Sequence, residues 1–162
     1  MVDWDALVRE HGRMVSGIAW HILGHAEDVE DVVQEVFVEA HQRSSNGTPV
    51  VSWGAMLRRI ATYRSLNALR RRRPVQPIDI EQLAAAEGDP CSIAIHHEME
   101  RRLRAALVDL APREAEVFCL RFFERLSYRK ISEALDISLS ATSTALFQAR
   151  SHLERLLTEQ KQ

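Results

Sequence analysis

WGAMLRRIATYRSLNALRRRR, residues 53–73, carries seven arginines (58, 59, 64, 70, 71, 72 and 73) and no acid, in a chain whose formal net charge is only -2. Met56, Leu57, Ile60, Tyr63 and Leu66 recur at three- and four-residue steps, which predicts a helix with one apolar side. That spacing assigns Tyr63 to the core, with stacking on a nucleic-acid base as the alternative. Arg59, Thr62, Arg64, Asn67 and the terminal arginines are left for another side, and Pro74 supplies the stop. An unpaired basic ridge on a packed helix is the footprint of a nucleic-acid backbone partner; a solvated arginine face is the competing reading.

Working outward, the preceding segment is the electrostatic opposite. Residues 14–42 contain no Lys or Arg but hold Glu27, Asp28, Glu30, Asp31, Glu35 and Glu39. Val29, Val32, Val33, Val36, Phe37 and Ala40 make a helical stripe, so the acids project outward. Glu27 and Asp28 suit the positive end of a helix dipole, an explanation that does not reach Asp31 and Glu35. An acidic, Gln-bearing face beside a basic helix suggests two different partners. Further upstream, Trp4, Leu7, Val8, His11, Val15, Ile18, Ala19 and Ile22 form the stripe of a first helix from Asp3 to Leu23, which Gly24 ends. SSNGTPV, residues 44–50, is a loop by composition.

Beyond Arg73 the character changes. PVQPIDIEQLAAAEGDP, residues 74–90, has three prolines and little periodicity and reads as an interdomain linker, whose acids either lie over the arginine face or form a solvated tether. Ile95, Met99, Leu103, Leu107 and Leu110 then mark another helix. His96, His97 and Glu98 superficially suggest a zinc-protease helix, but the positions four residues after each histidine hold Glu100 and Arg101, so no metal site is expected. Pro112 starts a helix carrying Val117, Phe118, Leu120, Arg121 and Phe123 on or beside its buried side. Ser127 caps a short helix with Ile131, Ala134 and Leu135 inward, Asp136 and Ile137 turn the chain, and Ser138 caps a long last helix packed through Leu139, Thr142, Ala145, Leu146, Ala149, Leu153 and Leu156. Short helix, tight turn and long helix form a helix-turn-helix pattern.

The expected fold is therefore all-α: two small helical domains joined by a linker, the second ending in a helix-turn-helix, with residues 1–73, 74–91 and 92–162 as domain, linker and domain. The 46% hydrophobic and 27% charged content is that of a globular chain, and no apolar run reaches the roughly eighteen residues of a membrane span. With neither that span nor a secretory start, a cytoplasmic protein without membrane insertion is expected. Cys91 and Cys119 are too few for a disulfide framework and are expected to be reduced and structural. No nucleophile, base and orienting group cluster and no phosphate-binding glycine loop appears, so neither an enzyme nor a cofactor is expected.

Taken together the blocks resemble bacterial RNA polymerase sigma factors of the extracytoplasmic-function (ECF) group. DVEDVVQEVF, residues 28–37, looks like the family's clamp-binding helix, which implies that Asp28, Asp31, Gln34 and Glu35 face the β′ clamp of core RNA polymerase. RRIATYRSLNALRRRR, residues 58–73, looks like the helix that melts and reads the start-proximal (-10) promoter element; Arg58, Arg59, Thr62, Tyr63, Arg64, Asn67, Arg70, Arg71 and Arg72 are its implied DNA contacts. Residues 110–138 look like the family's second domain, which reads the upstream (-35) element and touches the β flap. The implied contacts there are Arg129, Lys130, Ser138, Ser140, Ala141, Ser143, Thr144, Phe147, Gln148 and Arg150. An anti-sigma protein is a further implied partner.

The departures from the family's pattern are specific. Met56, Tyr63 and Asn67 stand where the family usually has Trp, Asn and Asp, which alters the preferred start-proximal bases. Ser143, Ala145 and Gln148 replace three usual cations of the recognition helix. From Arg113 to Arg155 seven bases face six acids, so this domain is expected to bind DNA weakly by itself. A sigma-like decoy that occupies an anti-sigma protein without reading promoters is thus the alternative to a working sigma factor. The depleted recognition helix favours the decoy, and the arginine helix and acidic face oppose it.

Overall fold

The Asp3 carboxylate accepts the Ala6 N–H at 3.0 Å and so caps the first helix, α1, Trp4–Leu23. Gly24 ends it in the left-handed conformation at φ 63°, as its place after the last apolar position predicts. In the computed structural model, which describes residues 1–72 and 89–159, six more helices follow among the described residues. They are α2 (Ala26–Ser45), α3 (Trp53–Arg71), α4 (Pro90–Asp109), α5 (Pro112–Phe122), α6 (Tyr128–Leu135) and α7 (Leu139–Glu159). No strand occurs among these residues. The expected linker falls mostly outside the described residues, as do Arg73 and Pro74; its last two positions, Pro90 and Cys91, belong to the first turn of α4. The loop expected over residues 44–50 also starts later, because α2 continues through Ser45.

Helices α1, α2 and α3 pack on one another around Val15, Ile18, Ile22, Val32, Val36, Leu57 and Ile60, each at most 2% exposed. The helix-turn-helix has its own small core of Val117, Leu120, Leu126, Ile131, Leu135, Ala145 and Leu146. These two units do not stand apart. The larger core runs on from α3 into Leu107 and Leu110, Ala115, Phe118 and Cys119 of α5, and Ala149 and Leu153 of α7. Helix α3 therefore contacts α1 and α2 on one side and α4, α5 and α6 on another.

A specific latch accompanies this packing. Arg104 on α4 donates from Nε to the Ile22 carbonyl at 3.2 Å and from Nη2 to the His21 carbonyl at 3.5 Å, satisfying the open end of α1. The guanidinium occupies the space beside Gly24, where an added Cβ would lie 2.5 Å from it. Burial holds the Arg104 guanidinium below its ordinary pKa, against the pull of Glu100. Glycine here thus serves twice: it reaches the left-handed region, and it leaves room for the arginine.

Several side chains expected inside lie outside. Val8 (45% exposed), Ile95 (58%), Met99 (63%) and Leu139 (52%) each sit at the exposed outer edge of an apolar stripe. Cys119 is buried as expected, whereas Cys91 is exposed at the start of α4 and takes no part in packing.

Candidate nucleic-acid interface and acidic docking face

Buried Val29, Val32, Val36 and Ala40 fix which side of α2 faces inward. Asp31, Gln34, Glu35 and Val38 consequently line up outward at positions i, i+3, i+4 and i+7, all exposed. Val38, 55% exposed at the end of this row, is an apolar member that periodicity alone did not single out. Asp28 is less accessible, because its carboxylate pairs with Arg72 Nε across the helix interface. Glu35 keeps a looser contact, 3.8 Å from Arg64 Nη1.

The arginine helix is thus not unpaired, which corrects the reading of a free basic ridge. Arg64 donates from Nε to Glu39 at 2.7 Å, and Arg43 donates to the same carboxylate from Nε at 2.9 Å and Nη2 at 2.6 Å. Burial alone would raise the Glu39 pKa, but the hydrogen bonds from Arg64 and Arg43 outweigh it and hold the carboxyl below its ordinary value. The hydrogen bond to Glu39 likewise raises Arg64. Arg64 and Arg72 therefore fasten α3 to α2, and the remaining arginines have to supply the cationic surface.

Thr62 is the second correction: assigned by the sequence to the polar side, it is fully buried. Leu57 and Leu66 are separated by nine residues, which at 3.6 per turn puts them on opposite sides of α3, yet both are at most 1% exposed. Thr62 lies on the Leu66 side, together with Leu69, Arg59 and Arg70. Leu66 on that side shares one core with Ala115, Phe118 and Cys119 of α5, and Glu116 of α5 lies within electrostatic reach of Arg70 and of Arg59, which stays exposed. Glu124, just after α5, stands in the same relation to Arg58. Burial raises the carboxyl pKa of both glutamates, and the neighbouring cations counter it in part. Asn67 accepts from Arg70 Nη1 at 3.2 Å. Tyr63, expected in the core, is 50% exposed, and Arg71 is exposed beyond it. The stacking alternative for Tyr63 is therefore the one its position allows.

In the helix-turn-helix, Ser127 Oγ accepts the Lys130 N–H at 3.2 Å and Ser138 Oγ accepts the Ala141 N–H at 3.0 Å. Asp136 makes the turn in the left-handed region at φ 53°, which an aspartate tolerates better than most residues. Arg129 and Lys130 are exposed at the entry of α6. At the cap, Ser138, and along α7, Ser140, Ala141, Ser143, Thr144, Phe147, Gln148 and Arg150 are exposed, and Phe147 most openly at 75%. The Arg150 guanidinium turns back over the Phe122 ring, 5.2 Å from its centroid. Glu114, 7% exposed on α5, meets His152 Nδ1 of α7 at 2.8 Å and ties the two helices together. His96 and His97 pair with Glu100 on α4. Among the described residues no three His, Cys, Asp or Glu side chains gather as a metal site, and no helix is long and apolar enough to cross a membrane.

Two family models match parts of the chain. Residues 7–75 match the family description "Sigma-70 region 2", and residues 100–153 match "Sigma-70, region 4". The chain is 30% identical to the ECF RNA polymerase sigma factor SigE of Mycolicibacterium smegmatis, over 98% of this chain and 63% of that protein. It is 22% identical to the ECF RNA polymerase sigma factor SigW of Bacillus subtilis, over 88% of this chain and 82% of the relative. It is 25% identical to the RNA polymerase sigma-H factor of Pseudomonas aeruginosa, with 95% and 86% covered. The chain thus spans somewhat under two thirds of the mycobacterial relative and most of the other two.

Proposed function

This chain belongs to the ECF-type sigma factors of the sigma-70 family, and on that premise we propose that it binds core RNA polymerase through α2 and directs it to specific promoters through α3 and α7. Proteins of this family are non-enzymatic polymerase subunits: they bind core polymerase and promoter DNA and catalyse nothing themselves. The observation that carries the assignment of surfaces is the outward row of Asp31, Gln34, Glu35 and Val38 on α2. A solvated face needs no apolar member, whereas a docking face gains affinity from one, with the acids setting orientation and on-rate. The β′ clamp is the partner assigned to this row, and the β flap the one assigned to the second domain.

For promoter DNA, Arg58, Arg59, Arg70 and Arg71 supply the phosphate contacts and Tyr63 a stacking surface for an unpaired base. Arg64 and Arg72 hold the helix that carries them. In the second domain, a recognition surface of hydroxyls, Ala141 and Phe147 suits contact with base edges and thymine methyls more than with phosphates. Arg129 and Lys130 provide backbone contacts at the entry to the motif. The protein acts in the cytoplasm, where its polymerase is, and an anti-sigma protein is its natural inhibitor.

The turned-back Arg150 favours the decoy reading, because it removes a cation from an already poor recognition face. Permanganate probing of promoter DNA separates the two readings. A sigma factor, added with core polymerase, makes thymines of the start-proximal element reactive; a decoy binds its inhibitor and leaves every thymine protected.

A further inference from the structure

We infer that a cavity at the end of α1 is a binding site for a small aromatic carboxylate. None of the residues assigned above to polymerase or promoter DNA lines it, so the site stands apart from those assignments.

The cavity, about 270 Å3 in volume, is lined by the end of α1, by α4 and by Phe123, the residue after α5. Its walls are aromatic. The His21 and Phe123 rings stack with their centroids 5.4 Å apart and their planes at 20°. Trp20 adds a third ring on the side of α1 away from the core, about 200° around the helix from buried Ile18 and Ile22, and is 47% exposed. A tryptophan turned away from the core of its own helix keeps a large apolar surface available to a ligand. Leu103 of α4 completes the apolar lining.

The hydrogen-bonding groups come from α4. Arg104 donates from Nε and Nη2 to the Ile22 and His21 carbonyls, which leaves Nη1, 3.7 Å from Glu100 and beyond hydrogen-bonding range of it. Among the lining residues Glu100 is the one acid, and it is shared: His96 Nε2 lies 3.2 Å and His97 Nδ1 3.8 Å from it. Burial outweighs Glu100 at the Arg104 guanidinium and holds its pKa down, so this cation is short of negative charge. A second carboxylate accepting from Nη1 supplies that charge through a charge-assisted hydrogen bond.

Volume sets the size of the ligand. Sites for drug-sized molecules run to about 300–1,000 Å3, so this one takes a single ring with its carboxylate rather than a nucleotide or a fused-ring cofactor. Ring and charge are both needed. Aromatic walls alone would admit any small apolar molecule, and Arg104 alone any anion. Binding to the folded chain raises its melting temperature by mass action and gives the protein a small-molecule input.

Benzoate titrated into the full chain, followed by calorimetry and by thermal melting, tests the site. Saturable binding with a Kd of about 1 mM or tighter is expected, which a ligand of so few atoms can reach. Benzyl alcohol keeps the ring without the charge and acetate the charge without the ring, and each should bind at least about tenfold more weakly. Leu103→Trp fills the cavity and should abolish benzoate binding. Trp20→Ala, at a half-exposed position that the fold does not depend on, should weaken it at least about tenfold and decides the matter if Leu103→Trp fails to fold. The inference is overturned if the benzoate signal does not saturate by about 10 mM, or if acetate or benzyl alcohol binds as tightly as benzoate. It is equally overturned if Trp20→Ala, folded by circular dichroism, binds benzoate with the parental affinity, because the ligand then lies elsewhere.

Discussion

Replacing Asp31 and Glu35 together with arginine is expected to weaken binding to core RNA polymerase by a hundredfold or more while the chain stays folded. Truncating one partner of a buried, hydrogen-bonded charge pair at an interface costs about 2–5 kcal/mol, and reversing its sign adds repulsion. Two such changes on one row exceed the roughly 2.8 kcal/mol that a hundredfold represents. Neither residue supports the core. Asp31 is exposed, and Glu35 makes a loose 3.8 Å contact with Arg64, which retains Glu39 at 2.7 Å. Exposed pairs of that kind contribute about 1 kcal/mol at most. Thermal melting followed by circular dichroism should therefore shift little, and size-exclusion chromatography with core polymerase should show the variant eluting alone. Co-elution at the parental affinity would mean that the acidic row has been assigned to the wrong partner.

The second large effect is expected at the arginines that α2 does not hold. Substituting Arg59, Arg70 and Arg71 with alanine should cut open-complex formation at least about tenfold and flatten its salt dependence. Each phosphate contact to a single strand contributes about 0.7 to the slope of log affinity against log salt, so losing three lowers the slope by roughly 2. The helix itself should survive, because alanine is the better helix former and Arg64 and Arg72 still tie α3 to Glu39 and Asp28. Permanganate reactivity measured between low and high salt reads both quantities. An unchanged slope would place the DNA strand elsewhere on the protein.

These two predictions use different parts of what the sequence made legible. Helix ends were the most legible feature, since they depend on neighbours three or four residues away. Ser127 and Ser138 cap the helices they precede, Gly24 closes α1, and Pro112 opens α5. The sigma-factor assignment was legible for a related reason: an acidic, an arginine-rich and a helix-turn-helix segment in a fixed order are all local patterns. Facing was less legible. Periodicity marks a helix as two-sided without saying how much of each side another element covers. Tyr63 shares its spacing with Met56 and Ile60 yet lies at the exposed edge, and Ile95 and Met99, in the first half of α4, are exposed as well.

Thr62 shows the converse. It is polar, it lies away from Leu57, and nothing local predicts its burial; the far-off helices α4, α5 and α6 pack against that side of α3. Arg64 and Arg72 likewise found acids 25 and 44 residues back on α2, so the charges sorted along the sequence are partly reunited by the fold. Residues 74–90, read as a solvated tether or else a cover for the arginine face, lie mostly outside the described residues. Glu116, paired with Arg113 at 3.3 Å, and Glu124, unremarkable in their own segment, come within electrostatic reach of arginines 58, 59 and 70.

Sequencing the 5′ ends of transcripts made by core polymerase on genomic DNA, with and without this protein, tests the central claim most directly. The account predicts new start sites that appear only when the protein is present, share paired start-proximal and upstream motifs, and vanish with either the Asp31/Glu35 reversal or the triple arginine substitution. A start-site profile identical to that of core polymerase alone would contradict it.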